Sequence, residues 1–294
     1  MQLGFKSVHP ISAFVFFVFA FVMSMTASHP LLLAVSFITG LIYDIKLSGK
    51  KAVSFFLKII MPMICLITFF NGIFSHYGVT VLFKMPSGNN FTLEALVFGF
   101  VFSIRTASAL LWLNSFNEII TSDKFIFLFG RISPKTALVI SMVLRFIPLV
   151  RSQSEEIKKA EKGVGNLPTE KDFIGKIRHG ARRLSILISW TLEKGIDSSD
   201  SMKARGYGLH GRTSFNSYSF SVKDALFLLS SLIASGIFFF VGTKYKANYN
   251  PVIDIPMPDI LATLLITVIA FVLLLPTLYD LREERKWSIS KLKS

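Results

Sequence analysis

The sequence predicts an all-α fold: a polytopic membrane bundle of about six apolar helices, with long amphipathic helices on its cytoplasmic side. Hydrophobic residues make up 52% of the 294 positions, and 30 residues are Phe. Long runs such as Ile11 to Ala27 and Leu261 to Leu275 contain no charged residue, which is typical of helices that cross a bilayer. Lys and Arg collect between and after these runs, and this distribution indicates which segments face the cytoplasm.

The apolar runs can be ordered across the membrane by the charge of the segments between them. We expect runs at about 11–27, 30–43, 59–75, 91–113, 222–242 and 258–279. Proline disfavours a helical conformation in the residue before it, so His29-Pro30 should divide the first two runs into a helical hairpin. This order places both termini in the cytoplasm. It places the loop near 76–90 outside, with Val79 to Phe83 extended before the turn sequence Pro86-Ser87-Gly88-Asn89-Asn90.

Three regions follow from this order of segments. Residues 1–114 hold the N-terminal membrane helices, residues 115–212 form an interfacial and cytoplasmic region, and residues 213–294 hold a C-terminal helix pair with a cytoplasmic tail. The stretch 134–150 is long enough to suggest another crossing, but the segments on both sides of it are basic. We therefore expect 134–150 and the short run Phe125–Phe129 to lie at the interface or beneath the bundle.

The sequence contains no constellation that indicates catalysis or a bound metal. Ser48-Gly49-Lys50 resembles part of a phosphate-binding loop, but Asp44 stands where glycine is required and Lys51 where Ser or Thr should bind magnesium. The histidines do not occur in pairs three or four residues apart; they are His9, His29, His76, His179 and His210. We expect a non-catalytic subunit without cofactor or metal, and neither a reading module nor interleaved aromatic residues suggest nucleic-acid binding.

Two charged residues enter or border the fourth apolar run. Arg105 could form a polar contact within the bundle, because a charge in a membrane helix requires a partner. The alternative, which we favour on sequence alone, is that Arg105 extends to the cytoplasmic interface about eight residues away. Glu94 is expected at the outer boundary of the same run.

The segment 145–212 is the main basic insertion, with 14 Lys or Arg against eight Asp or Glu. Apolar residues recur every three or four positions and predict an amphipathic helix; they are Phe173, Ile177, Ala181, Leu184 and Ile188. Thr169 after Pro168 is a candidate N-cap, with Asp172 near the positive end of the helix dipole.

A further helical stretch should run from about Leu187 towards Lys203 and end at Gly206 or Gly208, because glycine adopts the left-handed conformation that terminates helices. Arg205 would then project from a helix end and offer its fork of donors to carboxylates or carbonyls of a partner. A charged helix from Ser154 to Gly165, ending in Lys162-Gly163, is its upstream counterpart. A solvated helix without a partner is the alternative interpretation of both.

Three stretches of this insertion resemble the transmembrane T component of energy-coupling factor (ECF) transporters. They are Leu144-Arg145-Phe146-Ile147-Pro148-Leu149-Val150, the run from Glu155 to Gly163, and Ser201-Met202-Lys203-Ala204-Arg205-Gly206-Tyr207-Gly208. The similarity extends upstream through Asn71-Gly72-Ile73-Phe74-Ser75-His76-Tyr77-Gly78 and Thr92-Leu93-Glu94-Ala95, so it covers most of the chain.

The resemblance implies a set of partners and a role. Two cytoplasmic ABC ATPase subunits hydrolyse ATP, a membrane S component binds a vitamin or a transition-metal ion, and the T component couples them in a prokaryotic plasma membrane. In that family each of two coupling helices ends in an Arg-centred motif that docks on one ATPase. Ala204-Arg205-Gly206 matches the second motif, whereas Glu161-Lys162-Gly163 departs from the first by carrying Lys.

The roles of Arg145 and Pro148 remain open at this level, between shaping the helix that leads into the coupling region and contacting a partner directly. Two other functions also stay open. A stand-alone channel or secondary transporter would require ionisable residues along several spans, and only Arg105 clearly qualifies. A membrane scaffold for another soluble complex is compatible with the basic insertion.

Overall fold

A computed structural model describes residues 4–75, 78–84, 90–130, 133–164, 173–207, 218–249 and 252–292. The chain forms two compact units, the first made of Met1–Phe125 with Tyr218–Ser294 and the second of Ile126–Ser217. Several sequence predictions lie outside the described residues: the turn at 86–89, the N-cap at Thr169 with Pro168 and Asp172, and the roles of His76, Gly208 and His210.

The first unit is a helical bundle with one small β-hairpin. Five of its helices are long and apolar enough to cross a membrane, and a sixth apolar helix, α1, is shorter. The chain is therefore a multi-pass membrane protein with an all-α bundle, as predicted. Its elements are α1 (Pro10–Thr26), α2 (Pro30–Ser48), α3 (Lys50–Phe55) continuing through a π-helical segment (Phe56–Ile60) into α4 (Met61–Phe74), β1 (Val81–Lys84), β2 (Asn90–Thr92), α5 (Leu93–Ile119), α6 (Ser122–Gly130, which crosses the unit boundary), α9 (Val222–Lys244) and α10 (Ile260–Leu292).

The first two helices begin in the same way. His9 and His29 are their N-caps, and the Nδ1 atom of each accepts a hydrogen bond of 3.3 Å from the amide two residues later. A proline occupies the first helical position after each histidine, where its missing amide hydrogen carries no cost. The predicted break at His29-Pro30 is confirmed, since α1 ends at Thr26 and α2 starts at Pro30.

Trp112 of α5 lies at the centre of the core and is 1% exposed. Its ring is 5.8 Å from that of Phe16 and 6.2 Å from that of Tyr43, between ring centroids. Its indole Nε1 donates to the hydroxyl of Ser36 over 3.2 Å, because a buried indole N–H needs an acceptor. Helices α1, α2 and α5 are thereby packed around one aromatic centre.

The segment before α1 is fixed by two carboxylates from the C-terminal helix pair. The Phe5 amide donates to Asp280 Oδ1 over 2.5 Å, and the His9 amide donates to Asp224 Oδ1 over 2.9 Å. Asp224 also accepts from the Ser221 amide over 2.9 Å, so one carboxylate caps both α1 and α9. An ion pair between Lys46 and Glu284 lies at the same end of the unit, which is the end predicted to be cytoplasmic.

The opposite end of the unit carries the hairpin and the connection between α9 and α10. Strands β1 and β2 are antiparallel, which confirms the extended segment predicted near Val79 to Phe83. The carboxylate of Glu94, at the start of α5, accepts from the Thr80 amide over 3.1 Å and from the Thr80 hydroxyl. Tyr249 in the α9–α10 connection donates its hydroxyl hydrogen to the Ser28 carbonyl over 2.9 Å.

Arg105 points towards this end of the unit, so its favoured placement at the cytoplasmic interface is wrong. Its Nη2 donates to the carbonyl of Ala27 over 2.8 Å. Ala27 is the C-cap of α1, where carbonyl groups have no intrahelical partner and the helix dipole favours a cation. The bundle therefore offers Arg105 an internal acceptor, which corresponds to the polar-contact alternative.

The second unit contains two long helices, α7 (Pro134–Gly163) and α8 (Phe173–Ala204). The sequence suggested separate helices at 134–150 and 154–165, but α7 is continuous and Pro148 lies inside it. Pro148 has no amide hydrogen to donate to the Leu144 carbonyl, and the turns on both sides still continue the helix. The predicted stretches before and after Leu187 are likewise one helix.

We expect Gly99→Ala to destabilise the first unit, and Gly236→Ala to serve as its matched control. An added Cβ at Gly99 on α5 would lie 2.6 Å from the Cβ of Asn71 and 3.2 Å from the backbone of Thr68, whereas at Gly236 on α9 it meets nothing within 4 Å. Overpacking should cost about 1–3 kcal/mol, while the control should gain up to about 1 kcal/mol of helix propensity. Thermal unfolding followed by tryptophan fluorescence in detergent would measure both, and equal melting temperatures would contradict the close α4–α5 packing.

We expect the stability of the protein against unfolding to depend on pH because of Lys124. It lies in α6, is 1% exposed, and its Nζ has no hydrogen-bond partner among the described residues. Burial, assisted by Lys6 and opposed by Asp224, lowers the pKa of Lys124 to about 8. Below that pH both folded and unfolded states are protonated and the folded state bears the full penalty. Between pH 8 and the unfolded pKa of about 10.4 only the unfolded state stays protonated, so stability rises with pH.

Lys124→Met should therefore raise the melting temperature at pH 7 by roughly 2–8 °C, which corresponds to a relieved penalty on the order of 1–3 kcal/mol. The gain should shrink as the pH approaches 10. Lys51→Met is the control, because Lys51 is exposed and its replacement should change the melting temperature little at any pH. A gain for Lys124→Met that does not depend on pH would show that packing, and not the buried ammonium, is responsible.

Candidate partner-docking site

The C-terminal end of α8 is closed by a Schellman motif. The Tyr207 amide donates to the Met202 carbonyl over 3.0 Å, and the Gly206 amide donates to the Lys203 carbonyl over 2.9 Å. Gly206 has a φ of +80°, a left-handed conformation that glycine adopts without strain. The predicted termination at Gly206 is confirmed, and Arg205 is the C-cap between Ala204 and Gly206.

This geometry makes the Arg205 side chain an exposed cation at a rigid helix end. Arg205 is exposed and forms no ion pair with any described residue. Its own amide is bonded to the carbonyls of Ser201 and Met202, so the backbone at this residue is fixed while the guanidinium is free to bind a partner. Cations at this position are also favoured by the negative end of the helix dipole.

The end of α7 is built differently. Lys162 and Gly163 are exposed, and the helix ends where the Val164 amide bonds to the Ala160 carbonyl over 3.1 Å. Glu161 does not project outwards with them. Its Oε2 accepts from Arg183 Nε on α8 over 2.5 Å, and the side chains of this pair are only 11% and 24% exposed, respectively.

The Glu161–Arg183 pair was not predicted from the sequence. Arg183 falls within the predicted amphipathic helix and Glu161 within the triplet Glu161-Lys162-Gly163, but the two residues are 22 positions apart on different helices. The opposite charges of the two residues were the only indication that the sequence contained. Because the segment has many acidic and basic residues, this pair cannot be identified without knowing the relative positions of α7 and α8.

The predicted apolar stripe of α8 is present as an uncovered surface. Every member is exposed, and Phe173 at 75% and Ile177 at 58% retain large apolar areas. The stripe consists of Phe173, Ile177, Ala181, Leu184 and Ile188. A contiguous exposed apolar face is a feature of surfaces that contact another protein or a membrane. The roles of Pro148 and Arg145 were left open by the sequence. Pro148 lies inside α7, whereas Arg145 is exposed and, like Arg205, lines a groove between α7 and α8.

The described residues contain no cluster of three or more His, Cys, Asp or Glu side chains able to hold a metal ion. The binding features of the second unit are instead two helix ends with exposed cations and an uncovered apolar face. These features suit a contact surface for other proteins.

Two curated proteins are similar to part of this chain. One is the energy-coupling factor transporter transmembrane protein EcfT of Listeria innocua, which is 33% identical over 106 residues, covering 36% of this chain and 40% of that protein. The other is the protein of the same name from Lactobacillus helveticus, 32% identical over 102 residues, covering 34% of this chain and 37% of that protein. The chain is EcfT-like over this aligned third.

EcfT sequences from two bacteria thus confirm the resemblance to an ECF T component over about a third of the chain, whereas the predicted similarity over most of the chain stays a prediction. The chain spans about two fifths of the length of the curated relatives it matches. No protein-family model matches the chain. The EcfT likeness agrees with the multi-pass helical bundle of the first unit.

We expect a charge exchange to test the Glu161–Arg183 pair. Glu161→Arg and Arg183→Glu each place like charges together, so each should loosen the last turns of α7. The double variant restores the pair and should recover most of the loss, with a coupling of about 1–3 kcal/mol. Hydrogen–deuterium exchange of residues 155–163 would report this as roughly five- to a hundredfold faster exchange in the single variants.

Glu193→Arg is the control for this experiment, because Glu193 is exposed on the same helix as Arg183 and forms no ion pair with a described residue. It should leave exchange in residues 155–163 unchanged. Failure of the double variant to recover protection would show that the ion pair does not hold the end of α7.

Proposed function

We propose that this chain is the transmembrane T subunit of an ECF-type ABC importer. In this role it transmits the ATP-driven motion of two cytoplasmic ATPase subunits to a membrane S component. The S component would bind the transported vitamin or transition-metal ion, and this chain would contribute no catalytic group. The termini and the second unit would face the cytoplasm of a prokaryotic cell.

The observation that carries the proposal is the combination of the EcfT likeness with the fixed, exposed Arg205 at the end of α8. Arg205 would bind carboxylate or carbonyl groups in a groove of one ATPase through its planar fork. Lys162 would make the corresponding contact at the end of α7. An ammonium is a point charge without that fork, so the second contact should be weaker and less directional.

The mechanism is mechanical coupling through two helices. Closure of the ATPase pair on ATP would move the two docked helix ends, and stiff helices of about 30 residues carry a displacement along their length. The exposed stripe from Phe173 to Ile188 is available to contact the S component. Such coupling requires partners that hold the ends, which is why docking is the property to test.

We predict that Arg205→Ala weakens association with the ATPase pair by about ten- to a hundredfold, as expected for the loss of charge-assisted hydrogen bonds. Arg205→Lys should recover only part of the affinity, because it restores charge without the fork. Lys162→Ala should have a smaller effect, roughly two- to fivefold. The measurement is co-purification and affinity of the full chain with the ATPase pair of an ECF transporter, together with substrate uptake by the assembled transporter.

Arg178→Ala is the matched control, since Arg178 is an exposed arginine of α8 away from its end. It should bind the ATPases like the wild-type chain. If the wild-type chain fails to retain an ATPase pair, the proposal is wrong, and the channel or scaffold alternatives take its place. If Arg205→Ala leaves both association and uptake unchanged, the docking role of Arg205 is wrong.

A further inference from the structure

A groove of about 500 Å³ separates α7 and α8 in the second unit. Arg145 of α7 and Arg205, the C-cap of α8, both line this groove, although they are far apart in the sequence. Hydroxyl groups from both helices line the same groove; they belong to Ser141, Ser198 and Ser201. Two guanidinium groups and three serine hydroxyl groups therefore line the same groove.

The charges of this groove are not balanced within the chain. Its charged lining consists of Arg145, Arg205, Lys194 and Asp197. The single carboxylate is already paired, with Asp197 Oδ2 lying 3.3 Å from Lys194 Nζ. Neither Arg145 nor Arg205 has an anionic partner among the residues that the structure describes. A concave site lined mainly by one sign of charge raises the local concentration of the opposite charge.

We propose that Arg145 and Arg205 together form a carboxylate-binding groove that receives an acidic side chain of the docked ATPase. This inference rests on the proposed function and extends it: α7 would contribute directly to the docking site at the end of α8. The partner segment would place one Asp or Glu between the two guanidinium groups. The bidentate geometry of Arg–carboxylate pairs makes such a contact directional as well as strong.

The lining of the groove favours a protein segment over a lipid headgroup. Beside the charges it carries apolar groups from Met142, Phe146 and Leu149, which can pack against the aliphatic part of an acidic side chain and its neighbours. The helices α7 and α8 are also not among those long and apolar enough to cross a membrane. A lipid phosphate has the same charge as a carboxylate, so the experiment must separate the two.

The first arm measures affinity of the full chain for the ATPase pair. Arg145→Gln should weaken binding by about tenfold, the loss expected for one charge-assisted contact. Arg151→Gln is the control on the same helix, because Arg151 is also exposed but does not line this groove. It should stay within about twofold of the wild-type affinity.

The second arm identifies the ligand chemically. Arg145→Lys places an ε-amine in the groove, and a carbodiimide joins an amine to an adjacent carboxylate as an amide, with the lost carboxylate oxygen transferred to the urea by-product. Mass spectrometry should find a cross-link from position 145 to an Asp or Glu of the ATPase. Arg151→Lys should give no such cross-link under the same conditions.

The outcomes separate this inference from the proposed function. If Arg205→Ala weakens ATPase binding while Arg145→Gln does not and position 145 gives no cross-link, the shared groove is wrong and the T-subunit proposal stands. If Arg145→Gln alters only the retention of phosphatidylglycerol in nanodiscs, with ATPase affinity unchanged, the groove binds lipid phosphate and the inference is overturned. If the wild-type chain binds no ATPase pair, both fail together.

Discussion

Asp224 and Asp280 tie a short N-terminal segment to helices that lie 215 and 275 residues away from it in the sequence. Without these contacts the amides of Phe5 and His9 would lose their acceptors at the edge of an apolar bundle, where an unpaired backbone donor is costly. The contact at Asp224 also joins the starts of α1 and α9. These two carboxylates therefore hold the N-terminal segment against the C-terminal helix pair of the first unit.

The two units differ in how much apolar surface they bury within themselves. In the first unit Arg105 reaches a free carbonyl of α1, Glu94 binds the hairpin, and the aromatic core surrounds Trp112. In the second unit none of the described residues of α8 is buried, and Arg145 and Arg205 have no anionic partner among the described residues. A unit with so little core of its own gains stability by binding to other molecules.

Much of this architecture could be predicted from local sequence. The apolar runs predicted the membrane helices, His29-Pro30 predicted the break between α1 and α2, and Gly206 predicted the end of α8, because each depends on neighbouring residues only. A local signal for Asp224 was overlooked, since Ser221 with an acidic residue three positions later is a capping-box pattern. The repeated His-Pro pair at the start of α1 was a second such signal.

The remaining features depend on distances between helices, which the sequence pattern does not contain. The sequence shows how many residues separate Arg105 from the cytoplasmic end of its own helix, and this short separation favoured the interface. The Ala27 carbonyl that accepts its hydrogen bond belongs to another helix, so the sequence pattern does not reveal it. The same holds for Glu161 and Arg183. Pro148 was compatible with a helix end by its chemistry, and only the continuous turns on both sides of it show that α7 accommodates the missing hydrogen bond.

The two helix ends of the second unit are physically unequal, and this inequality bears on how force could pass through them. The end of α8 is fixed by a Schellman motif and carries a planar fork, so a partner's displacement would be transferred with a defined direction. At the end of α7 the terminal cation is a lysine, but the adjacent Glu161 binds α8 through Arg183. A pull on Lys162 would therefore reach α8 through this ion pair as well as along α7. In the proposed docking, the weaker contact expected of the lysine and the added link between the helices would act in opposite directions. The pair of helices could thus respond as one body even if a partner holds mainly the Arg205 end.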